Sequence, residues 1–207
     1  LYGISDAQPR PLIFVATQYR RRSVRKGELV SSIDQVAMLG RFATAGYAIA
    51  ILDVRGTGAS FGTKNGYDTP MTTIDDFADV LDWLGNQAWC DGNIGMYGYS
   101  FVGATQMVAA MTGSPYLKCI APQQTTVSSF RGFMNINGIQ NVAFRERVDA
   151  LMRRNNIDEP AVPVDDDSDG TLLALAVEEH RRMKPSTEVL LARRYADDPI
   201  AGRLDRA

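Results

Sequence analysis

Ser100 sits in the hexapeptide Gly98-Tyr99-Ser100-Phe101-Val102-Gly103 of a 207-residue chain. A serine hydroxyl is a weak nucleophile at its own pKa. It needs exposure, a base and a place for the oxyanion. The short apolar run Ile94-Gly95-Met96-Tyr97 precedes the hexapeptide, and a small-residue apolar segment, Ala104 to Met111, follows it. The pattern predicts a strand, a sharp turn and a helix, with Ser100 at the tip. Gly98 and Gly103 stand where a Cβ would clash in such a turn. The first N–H groups of the helix have no partner within it, so that of Phe101 is placed to stabilise a developing negative charge. The spacing is G-x-S-x-x-G, with Val102 where the usual G-x-S-x-G motif has its second glycine. Taken locally, the pattern fits a nucleophile and also fits a plain structural turn.

The other chemistry-bearing residues are sparse. His180 is the only histidine. It lies inside Ala176–Arg182, which reads as helix, and a base must come within hydrogen-bond reach of the serine. Nothing in the sequence brings it there. Asp165, Asp166, Asp167 and Asp169 fall in a proline- and aspartate-rich link, Asp158 to Gly170, which reads as an exposed loop. As the acid of a triad they are weaker still. Asp75, Asp79 and Asp82 lie off the apolar stripe of their helix and read as a solvated face. The run from Arg20 to Lys26 is read as a polar, solvated loop in preference to an anion site. Cys90 and Cys119 are read as part-buried thiols, since two cysteines and one histidine make neither a disulfide framework nor a zinc site. The glycine-rich loop Asp53–Gly62 has Phe61 at the third position of G-x-G-x-x-G and no Walker G-K-[ST], so it is not read as a phosphate site. No cofactor and no metal is expected. A net charge of −2 gives no reason to expect nucleic acid or an anionic membrane as partner. No apolar run reaches membrane-spanning length.

These residues need elements to position them. At 45% hydrophobic content the chain supports one packed domain, or one and part of another. Pro11–Thr17 reads as a buried strand, with Tyr19 just beyond it as an ordinary strand-end aromatic. Ser31 or Ser32 caps a helix whose buried face is Ile33, Val36, Ala37 and Gly40, ending at Gly46. Tyr47–Leu52 is apolar on both faces, as in a central parallel strand. Thr73 with Asp76 resembles a capping box for a helix buried through Ile74, Phe77, Ala78 and Leu81. Trp83 and Trp89 are expected to pack. Asp91-Gly92 turns the chain into the strand before Ser100, and Leu117–Pro122 is a further strand. Alternation of strand and helix from Pro11 to Gln123 predicts a parallel sheet with helices on both faces. Ligands bind such sheets at the strands' carboxyl ends, where Tyr19, the Asp53–Gly62 loop and Ser100 all lie. From about Thr125 strands give way to helices, Gly138–Asn155 and Thr171–Lys184, with Glu188–Tyr195 as a third.

Asp53–Gly62, Ala88–Met96, Gly98–Gly103 and Leu117–Pro122 together resemble the cocaine-esterase-type hydrolases. That family includes X-Pro dipeptidyl-peptidases and α-amino-acid ester hydrolases. The resemblance covers roughly Leu12 to Gln123. It is looser at Glu179-His180 and at Tyr195–Pro199. The family's elbow is G-x-S-[YF]-x-G, which accommodates Val102. The resemblance implies an α/β-hydrolase parallel sheet over residues 1–125 and a helical cap over residues 126–207. It also implies C-terminal strands and a jelly roll that this chain lacks. It implies that Ser100 forms an acyl-enzyme and that the Phe101 N–H and the Tyr19 phenol form the oxyanion hole. The triad aspartate and histidine would come from strands after the cap, so they are expected from the rest of the polypeptide or a second chain.

The reading is a serine hydrolase that cleaves, or transfers the acyl group of, a small ester or amide or short peptide, incomplete as this chain alone. One alternative is an X-Pro-type dipeptidyl aminopeptidase, which needs carboxylates for the substrate's amine; Glu178 and Glu179 are candidates, though such residues are more often solvated. Another is a non-catalytic binding or scaffold protein that kept the fold, or an isolated domain without the triad acid and base. Phe130, Phe133, Met134 and Phe144 would suit an apolar acyl group, but core packing is the commoner reason for such residues. Homo-oligomerisation is left open. The chain starts at Leu1, so the natural N-terminus is expected upstream; the compartment is unassigned, with the cytoplasm preferred over other compartments.

Overall fold

The computed structural model describes residues 1–4, 8–63, 74–125, 135–136, 139–185 and 187–188. Four parallel strands form the central sheet: β1 (Arg10–Thr17), β4 (Ala48–Asp53), β5 (Cys90–Tyr99) and β6 (Leu117–Gln123). Their spatial order is β4-β1-β5-β6. Each is an apolar or β-branched run bounded by turn residues, so the expected α/β architecture is found.

β1 shows why the sheet needs cover on both sides. Side chains alternate across a strand. Leu12, Phe14 and Ala16 enter one core cluster with Phe77, Leu81 and Leu84 of α3 (Ile74–Gly85) and Phe101, Val108 and Ala109 of α4 (Phe101–Met111). Ile13 and Val15 face the other way and pack with Ile49 and with Leu39 of α2 (Ala37–Thr44). α4 is apolar nearly all round because it sits deep in the first cluster. β6, which carries Pro122, a residue that cannot donate a ladder bond, is the last strand of the sheet among the described residues.

Several expectations are corrected. The Arg20–Lys26 run is not a loop. β2 (Arg22–Arg25) and β3 (Glu28–Ser31) pair as a hairpin, with Val24 opposite Leu29. Its two turn residues, Lys26 (φ 52°) and Gly27 (φ 83°), both have positive φ, as a tight hairpin turn requires. The helix after Ser31 is two pieces, α1 (Ser32–Gln35) and α2, because Val36 is extended. Leu39, not Ala37, carries its buried contact. Gly46 does end it, with φ 91°. Asp91-Gly92 lies within β5, not before it. Trp83 is 55% exposed and touches Trp89 edge to face. Thr73, Phe130, Phe133 and Met134 lie outside the described residues, as does nearly all of Glu188–Pro199.

After β6 come the short strands β7 (Asn135–Ile136) and β8 (Ile139–Gln140), which the sequence did not suggest. α5 (Val142–Arg153) runs into a π turn, Arg154–Asp158. α6 (Thr171–His180) ends four residues short of expectation, with Pro185 close behind. The link between them is not merely solvated. Arg20 and Arg21 donate to the carbonyls of Glu159 and Pro163, and Arg22 pairs with Asp165 at 2.9 Å. The arginines of the hairpin region therefore clasp this link. Among the described residues no helix is long and apolar enough to cross a membrane.

Candidate active site

Strand order places a crevice. β1 and β5 are neighbours, but the chain leaves β1 toward β4 on one side and reaches β5 on the other. Such a switch point opens a cleft at the carboxyl ends. Tyr19 follows β1 there and Ser100 follows β5.

Backbone strain gathers at the same end. Arg20 (φ 71°), Ser100 (φ 57°) and Gln124 (φ 46°) are non-glycine residues with positive φ, and they follow β1, β5 and β6. Such conformations cost on the order of 1–3 kcal/mol each and persist only where the surroundings fix them. Ser100 has ψ −125° and stands immediately before the first residue of α4. Its N–H donates to Gln123 O at 2.9 Å.

The flanking glycines are required by contact. A Cβ on Gly98 would lie 2.3 Å from Val102 Cγ1, so Gly98 makes room for the valine that replaces the usual second glycine. A Cβ on Gly103 would lie 2.8 Å from Gln123 O, the carbonyl that holds Ser100. The turn is braced by a residue that sequence reasoning passed over. Gln106 is fully buried in α4. Its amide donates toward Gly98 O (3.2 Å) and Val102 O (3.1 Å), and its carbonyl accepts from Ala121 N (2.9 Å). A glutamine inside an otherwise apolar helix was the available signal.

Tyr19 is half-buried, with its ring edge to face on Phe101 at 6.2 Å between centroids. The structure thus brings Tyr19 beside the residue after Ser100. Asp53, at the end of β4, is buried and accepts from Arg21 N (2.6 Å) and Ala59 N (3.1 Å). Burial pushes its carboxyl above the ordinary value, against the pull of those N–H groups and the Arg21 guanidinium. A Cβ on Gly58 (φ 58°) would fall 2.2 Å from this carboxylate, so the glycine-rich loop folds around Asp53 and not around a phosphate.

His180 is the last residue of α6 and is 1% exposed. Its Nε2 lies 2.8 Å from Ser60 O and its Nδ1 3.3 Å from Asn156 O. Both ring nitrogens face backbone carbonyls. Asp167, expected in an exposed loop, is buried and accepts from Leu172 N and Leu173 N, both at 2.9 Å; it caps α6. Asp165 and Asp169 are exposed, with Asp169 accepting from Thr171 N. Glu179 accepts the Gly62 N–H, and Glu178 pairs loosely with Arg181 at 3.7 Å. A cavity of about 280 Å³ is lined by Gln18, Val148, Met152, Asn156, His180 and Met183, among others. Among the described residues no group of three or more His, Cys, Asp and Glu side chains gathers as a metal site.

A four-stranded parallel sheet with a strained serine between strand and helix defines the class as α/β-hydrolase. The model of the X-Pro dipeptidyl-peptidase (S15) family matches residues 5–197, and the chain belongs to that family. It is 43% identical over 134 residues to a cocaine esterase of Rhodococcus sp., covering 63% of this chain and 21% of that protein. A CocE/NonD family hydrolase from Staphylococcus aureus superposes with a TM-score of 0.59 at 20% identity, over 84% of this chain and 31% of that one. An α-amino acid ester hydrolase does so with a TM-score of 0.54 at 24% identity, over 70% and 26%. The chain therefore spans between about a fifth and a third of the length of these relatives.

Proposed function

We propose that this chain carries the nucleophile of a serine hydrolase that acts on a small ester or amide. Ser100 Oγ attacks the carbonyl carbon and gives its proton to a histidine from outside this chain. The carbonyl oxygen becomes an oxyanion, held by the Phe101 N–H and the Tyr19 hydroxyl. Collapse expels the alcohol or amine, which takes the proton from the histidine. Water then releases the acid from Ser100 by the reverse use of the same groups. The reaction needs no cofactor. Residues 1–125 supply the core and residues 126–207 a helical cap. The triad aspartate and histidine come from the rest of the polypeptide or from a second chain.

One observation carries this reading: Ser100 has φ 57° at the start of a buried helix, at the β1/β5 switch point and beside the Tyr19–Phe101 pair. The high identity to an esterase favours ester substrates. The family model favours a second reading, an X-Pro-type dipeptidyl aminopeptidase. Against it, Glu179 is engaged with the Gly62 N–H and so is a poor holder of a substrate amine. Turnover of an X-Pro amide against an aryl ester separates the two.

The first test is fluorophosphonate labelling of the natural full-length protein and of this chain alone, with Ser100→Ala as control. Labelling of Ser100 in the full-length protein only is expected. Labelling in neither leaves the non-catalytic scaffold. Labelling of the isolated chain assigns the base to His180 after all.

A further inference from the structure

We infer that Asn156, Glu179 and His180 are positioning residues, which hold Tyr19 in place through the glycine-rich loop after β4. The inference rests on the reading of Tyr19 as an oxyanion donor.

The three side chains reach the same loop from far along the sequence. Gly58 N–H donates to Asn156 Oδ1 at 3.0 Å, Gly62 N–H donates to Glu179, and His180 Nε2 meets Ser60 O at 2.8 Å. Asn156 and His180 are each 1% exposed, and the Gly58–Asn156 bond is fully buried, where leaving it unmade is costly; the other two are partly buried. The loop they grip is closed on itself by Gly56 N to Phe61 O and Ser60 N to Thr57 O. These two bonds tie the ends of the loop together.

That loop presses on Asp53. Ala59 N–H donates to its carboxylate, Ser60 Oγ donates to its backbone carbonyl at 2.6 Å, and Gly58 lies against the carboxylate with no space for a Cβ. The other carboxylate oxygen accepts the Arg21 N–H. Arg20, between Tyr19 and Arg21, is held at φ 71°. The reversal that aims Tyr19 at Phe101 is therefore strained and is retained by the bond from Asp53 to the next N–H. A second tie runs the same way, because Arg20 donates to Glu159 O at 2.6 Å, just beyond the π turn. Releasing the loop lets Asp53 turn, the Arg20 strain relax and the Tyr19 hydroxyl drift.

The test is a double-mutant cycle in the natural full-length protein, with p-nitrophenyl acetate as substrate and fluorophosphonate labelling of Ser100 alongside. Removing an oxyanion donor lowers kcat by about 10²–10³, and Tyr19→Phe is expected to approach that. Glu179→Ala should lower kcat about tenfold with KM within about twofold, as expected when a donor is misplaced. Glu179→Gln keeps an acceptor for Gly62 N–H and should keep the rate. In the Tyr19→Phe background, Glu179→Ala should change kcat by less than about twofold, since the group it positions is gone. Equal losses in both backgrounds overturn the inference and leave a general structural role. Glu179→Gln as poor as Glu179→Ala also overturns it and assigns the charge to substrate. If Glu179→Ala does not fold, Asn156→Ala runs the same cycle through Gly58. Loss of Ser100 labelling in the wild type would instead sink the hydrolase reading, and this inference with it.

Discussion

Gly98 shows how one atom decides the geometry at Ser100. Its φ is 152°, and a methyl there would overlap Val102. Gly98→Ala should therefore destabilise the protein by about 1–3 kcal/mol, the usual range for overpacking. The loss is relieved by removing the obstacle, so Gly98→Ala/Val102→Ala should recover part of it. Urea unfolding of the single and double variants checks this. A double variant no more stable than the single one places the cost in backbone strain instead. The sequence made both the glycine and the serine legible, because a positive-φ turn leaves a local imprint. It did not make Gln106 legible as the brace, because its three partners lie at Gly98, Val102 and Ala121, and only the fold gathers them.

At the scale of elements, the apolar runs that became β1, β4, β5 and β6 could be read because burial on both faces leaves a continuous hydrophobic string. The β2–β3 hairpin escaped because its arginines mask the alternation of Ser23, Val24 and Leu29, Val30. The roles of Asp167 and His180 escaped for another reason. Each is a polar residue buried by a partner that pattern reading cannot supply: a helix end for Asp167, a loop carbonyl for His180. Asp167 yields a prediction at this scale. Asp167→Ala removes the acceptor for Leu172 N and Leu173 N and should cost about 1 kcal/mol, the usual worth of a helix cap. The shift is read as a lower urea midpoint with unchanged slope. Asp169→Ala should shift it less, because Asp169 is fully exposed. Equal shifts would mean that Asp167 is not the cap.

At the scale of the whole molecule, β6 is the last strand of the sheet among the described residues. Cys119 on β6 is exposed, whereas Cys90 at the start of β5 is buried and its thiol is pushed up by that burial. Maleimide should modify Cys119 of the isolated chain quickly and Cys90 slowly. If, as proposed, the triad aspartate and histidine lie outside this chain and the strands that carry them pair beyond β6, Cys119 should react at least about tenfold more slowly in the full-length protein. Mass spectrometry of the two modified proteins measures this, and an unchanged Cys119 rate would mean that β6 is the natural edge. The strand order carries one more consequence, for the timing of synthesis. Leu12 pairs with Ala48 on one side and with Ile94, more than twice as far along the chain, on the other. Closing the nearer loop costs less entropy, and a chain emerging from the ribosome offers β4 first. The β1–β4 pairing is therefore expected to form ahead of the β1–β5 pairing. Phe101 can reach Tyr19 only once β5 and the start of α4 have been added, so the Tyr19–Phe101 ring contact is expected among the later ones of this segment.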